Sequence, residues 1–162
     1  MNFNDIKLFV FDFDGVLTNN KFFLDENGIE SVQLSRSDGL AFSILKKLNK
    51  KVLILSTEKN PIVTLRANKL NVEVIQGCKD KLDTLKKYIK KNQINFAGIF
   101  YVGNDLNDLH VMKNCGYSAC PNDSHYKIRQ IANNTLSSNG GEGVIREIIE
   151  NLFKIKIEKE IW

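Results

Sequence analysis

Short apolar runs alternate with helical segments along the chain, and this alternation constrains the fold more than any other feature. Leu40, Ile44 and Leu48 recur at helical spacing between two such runs, and Asn60-Pro61 is typical of the start of the next helix. Strands that alternate with helices form a parallel sheet with helices on both faces. The sequence therefore predicts a Rossmann-like α/β fold. Its main strands are predicted over Lys7–Phe11, Lys51–Leu55, Val72–Ile75 and Gly98–Val102.

One segment near the N-terminus departs from the alternation. Two short extended runs, Lys21–Leu24 and Ile29–Leu34, flank the turn sequence Asp25-Glu26-Asn27-Gly28 and predict a β-hairpin over about residues 20–34. Apolar side chains on this hairpin would form an exposed patch on a monomer, and such patches favour self-association. They are Phe22, Phe23 and Ile29.

The size and charge of the chain narrow the class of protein. Its 162 residues suit a single domain, 1–162, and its net charge of +4 is too small to indicate a nucleic-acid partner. No run approaches the roughly 20 apolar residues of a membrane helix, and charges interrupt the first apolar segment, unlike in a signal peptide. We therefore expect a cytoplasmic protein that binds neither nucleic acid nor membrane.

Two acidic side chains follow the first predicted strand. Asp12 and Asp14 stand two residues apart after an apolar run, and Gly15 follows them. Unpaired carboxylates at the end of a buried strand are costly, so the pattern indicates a magnesium site or an acid–base pair. Asp12 could then attack a phosphorus atom while Asp14 supplies or removes a proton. An ordinary strand-to-turn exit uses the same residue types. The segment by itself leaves both interpretations open.

Polar side chains also follow three other predicted strands. Because the carboxyl ends of parallel strands meet at one edge of a sheet, all of these groups are expected in one site. Carboxylates hold a hard cation, while a hydroxyl and an ammonium group neutralise phosphoryl oxygens, so the set favours phosphoryl transfer. A Walker A loop is missing, which disfavours a kinase or ATPase of that type. The three segments are Ser56–Lys59, Gln76–Lys81 and Gly103–Asp108.

Taken in order, these segments resemble the four motifs of the haloacid dehalogenase superfamily of phosphatases. DFDGVLT resembles the first motif, and GNDLND the fourth. The resemblance implies that Asp12 is the nucleophile that forms an aspartyl-phosphate, and that Asp14 protonates the leaving group and then activates water. It also implies that Ser56 and Lys81 bind the transferring phosphoryl group.

The magnesium ligands of this superfamily fall on Asp12, on Asp14 and on the start of the fourth motif. That motif commonly begins Gly-Asp-Asp, whereas this chain has Gly103-Asn104-Asp105. Either Asn104 is a weaker ligand of Mg²⁺ or the role shifts to Asp105. Asp108 would support Lys81 or the water ligands of the metal.

The lack of a large cap insertion narrows the resemblance to one capless branch. Its members dephosphorylate 3-deoxy-D-manno-octulosonate 8-phosphate or sialic-acid-type nonulosonate 9-phosphates, and they work as tetramers in which a neighbouring subunit helps cover each site. A glutamate after the second motif, with a later Arg and Lys, resembles the nine-carbon enzymes, so Thr57, Glu58, Arg66 and Lys69 are candidate substrate-binding residues. Arg66 and Lys69 would come from the neighbouring subunit. The eight-carbon substrate is the alternative.

Two further interpretations stay open from the sequence. Related domains fused to sialate cytidylyltransferases serve assembly, so the chain could be a non-catalytic oligomerisation module. Against this interpretation, the chain has all four side chains of the catalytic motifs, which an assembly module does not need. Asp38 lies in a segment that resembles the Arg-Asp-Gly of this family, and it could equally be a helix N-cap, as could Ser37.

Overall fold

The computed structural model describes residues 2–161, with side chains described through residue 159. Six parallel strands form the central sheet: β1 Leu8–Phe11, β4 Lys51–Leu55, β5 Glu73–Ile75, β6 Ile99–Val102, β7 Tyr117–Cys120 and β8 Asn134–Thr135. Their order across the sheet is β5-β4-β1-β6-β7-β8. The helices are α1 Arg36–Lys47, α2 Ile62–Leu70, α3 Lys81–Asn92, α4 Leu109–Asn114, α5 Tyr126–Ile131, α6 Val144–Glu147 and α7 Ile157–Ile161.

Both faces of the sheet are buried, because alternate residues of each strand point to opposite sides. Phe9 and Phe11 of β1 pack in a cluster with side chains of α1, α2 and α6. Leu8 and Val10 pack in the other cluster, with side chains of α3, α4 and α5. This arrangement explains why the strands are apolar without a polar face. The predicted α/β fold is confirmed.

The strand order places β1 at the centre of the sheet, between β4 and β6. The chain runs outward from β1 on one side through β4 and β5, and on the other through β6, β7 and β8. Ligands bind in such sheets beyond the carboxyl ends of the strands, at the point where the direction of winding changes. The residues that follow β1, β4 and β6 therefore surround the expected binding crevice.

The predicted hairpin is the antiparallel pair β2 Thr18–Leu24 and β3 Glu30–Leu34, which forms a separate two-stranded sheet. Its pairing is irregular between Thr18 and Phe22, where a bulge accommodates two more residues in β2 than in the facing part of β3. Large apolar side chains on it are 58% to 74% exposed. These side chains are Phe22, Phe23, Leu24 and Ile29.

Two helical segments are irregular, and the predicted caps of α1 are wrong. Leu106–Asp108 forms a 3₁₀ turn before α4, and α6 changes after Glu147 into a π-helical turn, Ile148–Leu152. The N-cap of α1 is Ser35, whose hydroxyl accepts the Ser37 N–H, so neither Ser37 nor Asp38 caps that helix. Within residues 2–161 no helix has the length and apolar character needed to cross a membrane.

Candidate active site

A buried ion network lies at the carboxyl end of β1. The ammonium group of Lys81, the first residue of α3, is 2.7 Å from Oδ1 of Asp12 and 2.7 Å from Oδ1 of Asp108. Tyr101, on β6, donates its hydroxyl to the same Asp108 oxygen at 2.8 Å. Asp12, Lys81 and Asp108 are each at most 4% exposed. The network therefore fixes one carboxylate oxygen of Asp12 at the carboxyl edge of the sheet.

Asp108 is held by the loop that follows β6. Its second carboxylate oxygen accepts the backbone N–H of Asn104 at 2.9 Å and that of Asp105 at 3.4 Å. A side chain at Gly103 would collide with this carboxylate, because a Cβ there would lie 2.5 Å from its carbon. The Gly103-Asn104-Asp105 backbone therefore packs against the Asp108 carboxylate and holds it in contact with Lys81.

The pKa shifts of Asp12 and Lys81 indicate that the site favours an additional positive charge. Burial, and next the charge of Asp108, raise the pKa of Asp12 against the opposing effect of Lys81. Burial alone would lower the pKa of Lys81, but the adjacent carboxylates of Asp12 and Asp108 outweigh it and raise that pKa. Two buried carboxylates share one ammonium group, so a further cation would favour the ionised, nucleophilic form of Asp12.

Asp14 lies beside Asp12 and is more accessible to solvent. Its Oδ1 accepts a hydrogen bond of 3.2 Å from the hydroxyl of Thr18, which in turn accepts the backbone N–H of Gly15 at 3.2 Å. Partial burial raises the pKa of Asp14, the Thr18 bond lowers it, and the nearby charge of Glu58 adds to the rise. A raised carboxyl pKa suits a group that must donate a proton and later accept one.

Asn104 presents an unpartnered oxygen next to these carboxylates. Its side chain is only 7% exposed, and Oδ1 is buried with no hydrogen-bond partner among the described residues. The backbone of Gly15, with φ +79°, allows Asn104 to lie this close, because a Cβ at Gly15 would overlap the amide. Asp105, in contrast, is exposed, and its Oδ1 accepts the N–H of Leu106 at 2.7 Å. The geometry therefore favours Asn104 over Asp105 as a metal ligand.

The donor set fits a hard cation such as Mg²⁺, which prefers carboxylate and amide oxygens and keeps several water ligands. Asp12, Asp14 and Asn104 line the same cavity, and an orphaned buried amide oxygen is what a cation would satisfy. Within residues 2–161 there is no group of three or more His, Cys, Asp or Glu side chains placed to hold a metal. This site has two carboxylates, and its third side-chain donor is an amide.

Ser56 and Thr57 follow β4 and complete this cavity of about 410 Å³, which we call the inner cavity. Ser56 is buried, and its hydroxyl oxygen accepts the backbone N–H of Glu58 at 3.1 Å. Thr57 accepts a 3.5 Å hydrogen bond from the side chain of Asn107. The structure thus brings the predicted groups from three strand ends together around one space.

A second space of about 250 Å³, which we call the outer cavity, lies between the hairpin and the loop after β4. Glu58 lines it, and its Oε1 accepts the backbone N–H of Asn60 at 2.7 Å. The amide of Asn60 donates to Oε2 of Glu30 on β3 at 3.2 Å, which joins the loop to the hairpin. Asp14 and Asn20 line both cavities, so the two spaces adjoin each other there.

Arg66 and Lys69 do not reach either cavity. Both residues line a separate groove with Arg36 and Gly39, and Arg66 donates from Nη2 to the backbone carbonyl of Ser35 at 2.8 Å. The structure therefore does not bring these two predicted substrate-binding residues to the site of their own chain.

The sequence interpretation missed functional and structural partners whose signals were weak. Tyr101 lies inside an apolar strand run, and nothing in its sequence context marked the bond to Asp108. Asp38 accepts the N–H groups of Ile145 and Arg146, more than a hundred residues away, at the start of α6. Burial raises the pKa of Asp38 to about 6, while those N–H donors and then Arg66 oppose the rise. Long-range contacts of this kind leave no local pattern.

Comparison with known proteins agrees with this geometry. Residues 43–148 match the family model of haloacid dehalogenase-like hydrolases. The 3-deoxy-D-manno-octulosonate 8-phosphate phosphatase KdsC of Salmonella typhi is 30% identical over 149 residues, which cover 91% of this chain and 79% of that protein. The corresponding enzyme of Haemophilus influenzae is 26% identical over 159 residues, which cover 98% of this chain and 88% of that protein.

A solved structure extends the likeness to the fold. The 3-deoxy-D-manno-octulosonate 8-phosphate phosphatase of Moraxella catarrhalis, in complex with a magnesium ion, a phosphate ion and a KDO molecule, superposes with a TM-score of 0.90 at 29% identity. The superposition covers 97% of this chain and 92% of that one.

Fold, site and comparisons together define a phosphatase of the α/β type. The chain belongs to the haloacid dehalogenase-like hydrolase family.

Proposed function

We propose that this phosphatase is a magnesium-dependent phosphomonoesterase that hydrolyses a phosphorylated 2-keto-3-deoxy sugar acid through an aspartyl-phosphate on Asp12. The observation that carries the proposal is the buried Asp12–Lys81–Asp108 network opening onto the inner cavity, where Asp14, Ser56 and the orphaned amide of Asn104 also lie. The octulosonate 8-phosphate phosphatases similar to this chain support the substrate class.

The proposed reaction has two displacements at phosphorus. The Asp12 carboxylate attacks, the bond from phosphorus to the sugar oxygen breaks, and Asp14 gives its proton to that oxygen. Asp14 then takes a proton from a water molecule that attacks the acyl-phosphate, which releases inorganic phosphate and restores Asp12. Lys81 and Ser56 neutralise and position the phosphoryl oxygens. Bound Mg²⁺ would supply positive charge to the attacking carboxylate and to the phosphoryl oxygens.

The proposed magnesium ligands are the Asp12 carboxylate, the Asp14 backbone carbonyl and Oδ1 of Asn104. Magnesium alone, without substrate, should raise the thermal midpoint of the protein, because a ligand that binds only the folded state stabilises it. Asn104→Ala should abolish this rise, and Asp105→Ala should preserve it. The opposite pattern would assign the ligand role to Asp105.

For the sugar, we propose a sialic-acid-type nonulosonate 9-phosphate. Glu58 supports this choice because it lines the outer cavity, where its carboxylate can accept hydrogen bonds from sugar hydroxyls. Glu30, Glu58 and Asp14 outnumber Lys21 in the lining of that cavity, so it suits hydroxyl groups better than the substrate carboxylate. The names of the related enzymes favour 3-deoxy-D-manno-octulosonate 8-phosphate as the second candidate.

We also propose that the active form is a homotetramer in which Arg66 and Lys69 of one subunit bind the substrate carboxylate in the site of another. The exposed apolar hairpin supports self-association, and the distance of both cations from their own cavities supports a role in a neighbour's site. Light scattering should give four times the monomer mass. Arg66→Ala should raise KM for the sugar acid phosphate while kcat for p-nitrophenyl phosphate, which lacks a carboxylate, stays unchanged.

The deciding experiment measures phosphate release from the nonulosonate 9-phosphate, the octulosonate 8-phosphate and glucose 6-phosphate, first with Mg²⁺ and then with a chelator. We expect rapid release from the nine-carbon acid, slower release from the eight-carbon acid and little from glucose 6-phosphate, all of it lost with chelator. Asp12→Asn protein, purified identically, controls for contaminating phosphatases. Equal rates on all three substrates would contradict the substrate class, and unchanged rates in chelator would contradict the metal requirement.

A further inference from the structure

Asn20 has an unusual backbone conformation for a residue with a side chain. It lies in β2 with φ +60°, at the bulge between Thr18 and Phe22. Asparagine tolerates the left-handed region better than other residues with a Cβ, whereas glycine occupies it without steric cost. A glycine would therefore satisfy the backbone at this position as well, so the conformation alone does not explain an asparagine side chain.

The position of Asn20 joins it to the proposed chemistry. Its backbone N–H donates to the Thr18 hydroxyl at 3.2 Å, and that hydroxyl donates to Asp14 at 3.2 Å. One hydroxyl thus fixes both the turn that carries Asn20 and the carboxylate of the proposed general acid. The position of Asn20 is therefore fixed relative to Asp14 through Thr18.

Asn20 also lies where the two cavities meet, and its amide is available. It is exposed, it lines the inner and the outer cavity, and its amide makes no hydrogen bond to any described residue. Asp14 is the other residue that lines both spaces. A phosphate ester whose phosphoryl group occupies the inner cavity and whose sugar chain occupies the outer cavity must cross between them here. The atoms that cross are the leaving oxygen and the first carbons of the chain.

The chemistry of the amide fits the group expected at that crossing. A primary amide offers two donors and one acceptor, so it can both donate to and accept from a hydroxyl. It carries no charge, so it does not repel the adjacent phosphate as Glu30 or Glu58 would at the same place. The group next to the phosphorylated carbon in a polyhydroxylated sugar acid chain is a hydroxyl.

We propose that Asn20 is a specificity-determining residue that hydrogen-bonds the hydroxyl on the carbon adjacent to the phosphorylated carbon of the substrate. The assignment rests on the proposed function, because it requires a polyhydroxylated phosphate ester in the two cavities. It adds a contact from the hairpin of the same subunit to those expected from Glu58 and from a neighbouring chain.

The test compares a nonulosonate 9-phosphate with its 8-deoxy counterpart, which lacks only the adjacent hydroxyl. Wild-type protein should prefer the hydroxylated substrate by about 2- to 13-fold in kcat/KM, the range expected for one neutral hydrogen bond. Asn20→Gly keeps the left-handed backbone and removes the amide, so it should lose that preference through a fall in kcat/KM for the hydroxylated substrate. Asn20→Asp should weaken both substrates, because it places a negative charge beside the phosphate.

Asn27→Gly, at the hairpin tip and away from both cavities, is the matched control and should retain the wild-type preference. Thermal midpoints of all variants report whether the fold is intact. A preference that survives in Asn20→Gly, with wild-type protein active on both substrates, would overturn the assignment and leave the proposed function standing. Wild-type protein inactive on both substrates, yet active on p-nitrophenyl phosphate, would overturn the proposed substrate class and the assignment with it.

Discussion

The inner and outer cavities share Asp14 and Asn20 but differ in construction. The side chains of the inner cavity follow buried strands, and Asp12, Lys81 and Asp108 are fixed by bonds of 2.7 Å. The outer cavity is lined by exposed and half-buried residues of a hairpin and a loop, which a 3.2 Å hydrogen bond between Asn60 and Glu30 joins. Rigid core elements thus hold the groups proposed to act on phosphorus, while surface segments hold the groups proposed to select the sugar. Such a division allows selectivity to change without altering the chemistry.

The largest expected effect comes from the centre of the inner cavity. Asp12→Asn keeps the size of the side chain but removes the proposed nucleophile, so phosphate release should fall by about 10⁴-fold or more. Steady-state assays with the sugar acid phosphate and with p-nitrophenyl phosphate measure it. The loss should be the same for both substrates, because the inner cavity acts on any phosphate ester. Activity that survives the substitution would contradict the covalent mechanism.

Removing the shared cation should destabilise the inner cavity. Lys81→Met leaves Asp12 and Asp108 buried without a counter-ion, which should lower the free energy of unfolding by about 3–5 kcal/mol in urea titrations. Lys87→Met is the matched control on the same helix, since Lys87 pairs with Asp83 on the surface, and it should leave stability unchanged. Equal midpoints for the two variants would show that the buried network contributes no stability.

Asp38 differs from Asp12 in its partners, because its carboxylate accepts backbone N–H groups whereas Asp12 pairs with a lysine. Its pKa is about 6 in the folded protein against 3.8 ordinarily, so the folded state binds a proton more tightly and stability falls as pH rises from about 4 to 6. Asp38→Asn should remove this part of the pH dependence, worth up to about 3 kcal/mol. Urea unfolding at pH 4, 5, 6 and 7 measures it. Parallel profiles for wild type and variant would contradict the expectation.

The smallest expected effect tests the outer cavity. Glu58→Arg should reduce the ratio of kcat/KM for nine-carbon over eight-carbon substrate by about tenfold, which corresponds to 1.4 kcal/mol of differential binding. The kcat for p-nitrophenyl phosphate should change less than this ratio, since Glu58 does not line the inner cavity and acts there only through its effect on the pKa of Asp14. An unchanged ratio would show that Glu58 does not select the sugar.

The fold and the strand-end motifs could be predicted because their signals are local. The apolar runs of β1, β4 and β6 and the helical spacing in α1 mark the alternation, and parallel strands must bring their carboxyl ends to one edge. The site was predicted to the extent that its residues follow those strands directly. The hairpin was predicted from its turn sequence and the extended runs beside it.

The remaining features depend on tertiary contacts that a sequence pattern does not contain. The sequence left Asp38 open between a helix cap and a segment that resembles the family's Arg-Asp-Gly, whereas its partners lie at Ile145 and Arg146. The proposal of Asn104 over Asp105 as metal ligand depends on which side chain is buried and unpartnered. The significance of Asn20 required its positive φ and its place between two cavities.

The most direct test of the account asks whether a phosphoryl group becomes attached to Asp12 during turnover. Protein mixed with Mg²⁺ and the sugar acid phosphate is quenched in acid within one turnover and reduced with borohydride, which converts an aspartyl-phosphate to homoserine. Mass spectrometry of the peptide that contains Asp12 should then find homoserine at that position, and only when substrate was present. Aspartate retained at Asp12, or homoserine at another position, while phosphate is released, would contradict the central claim.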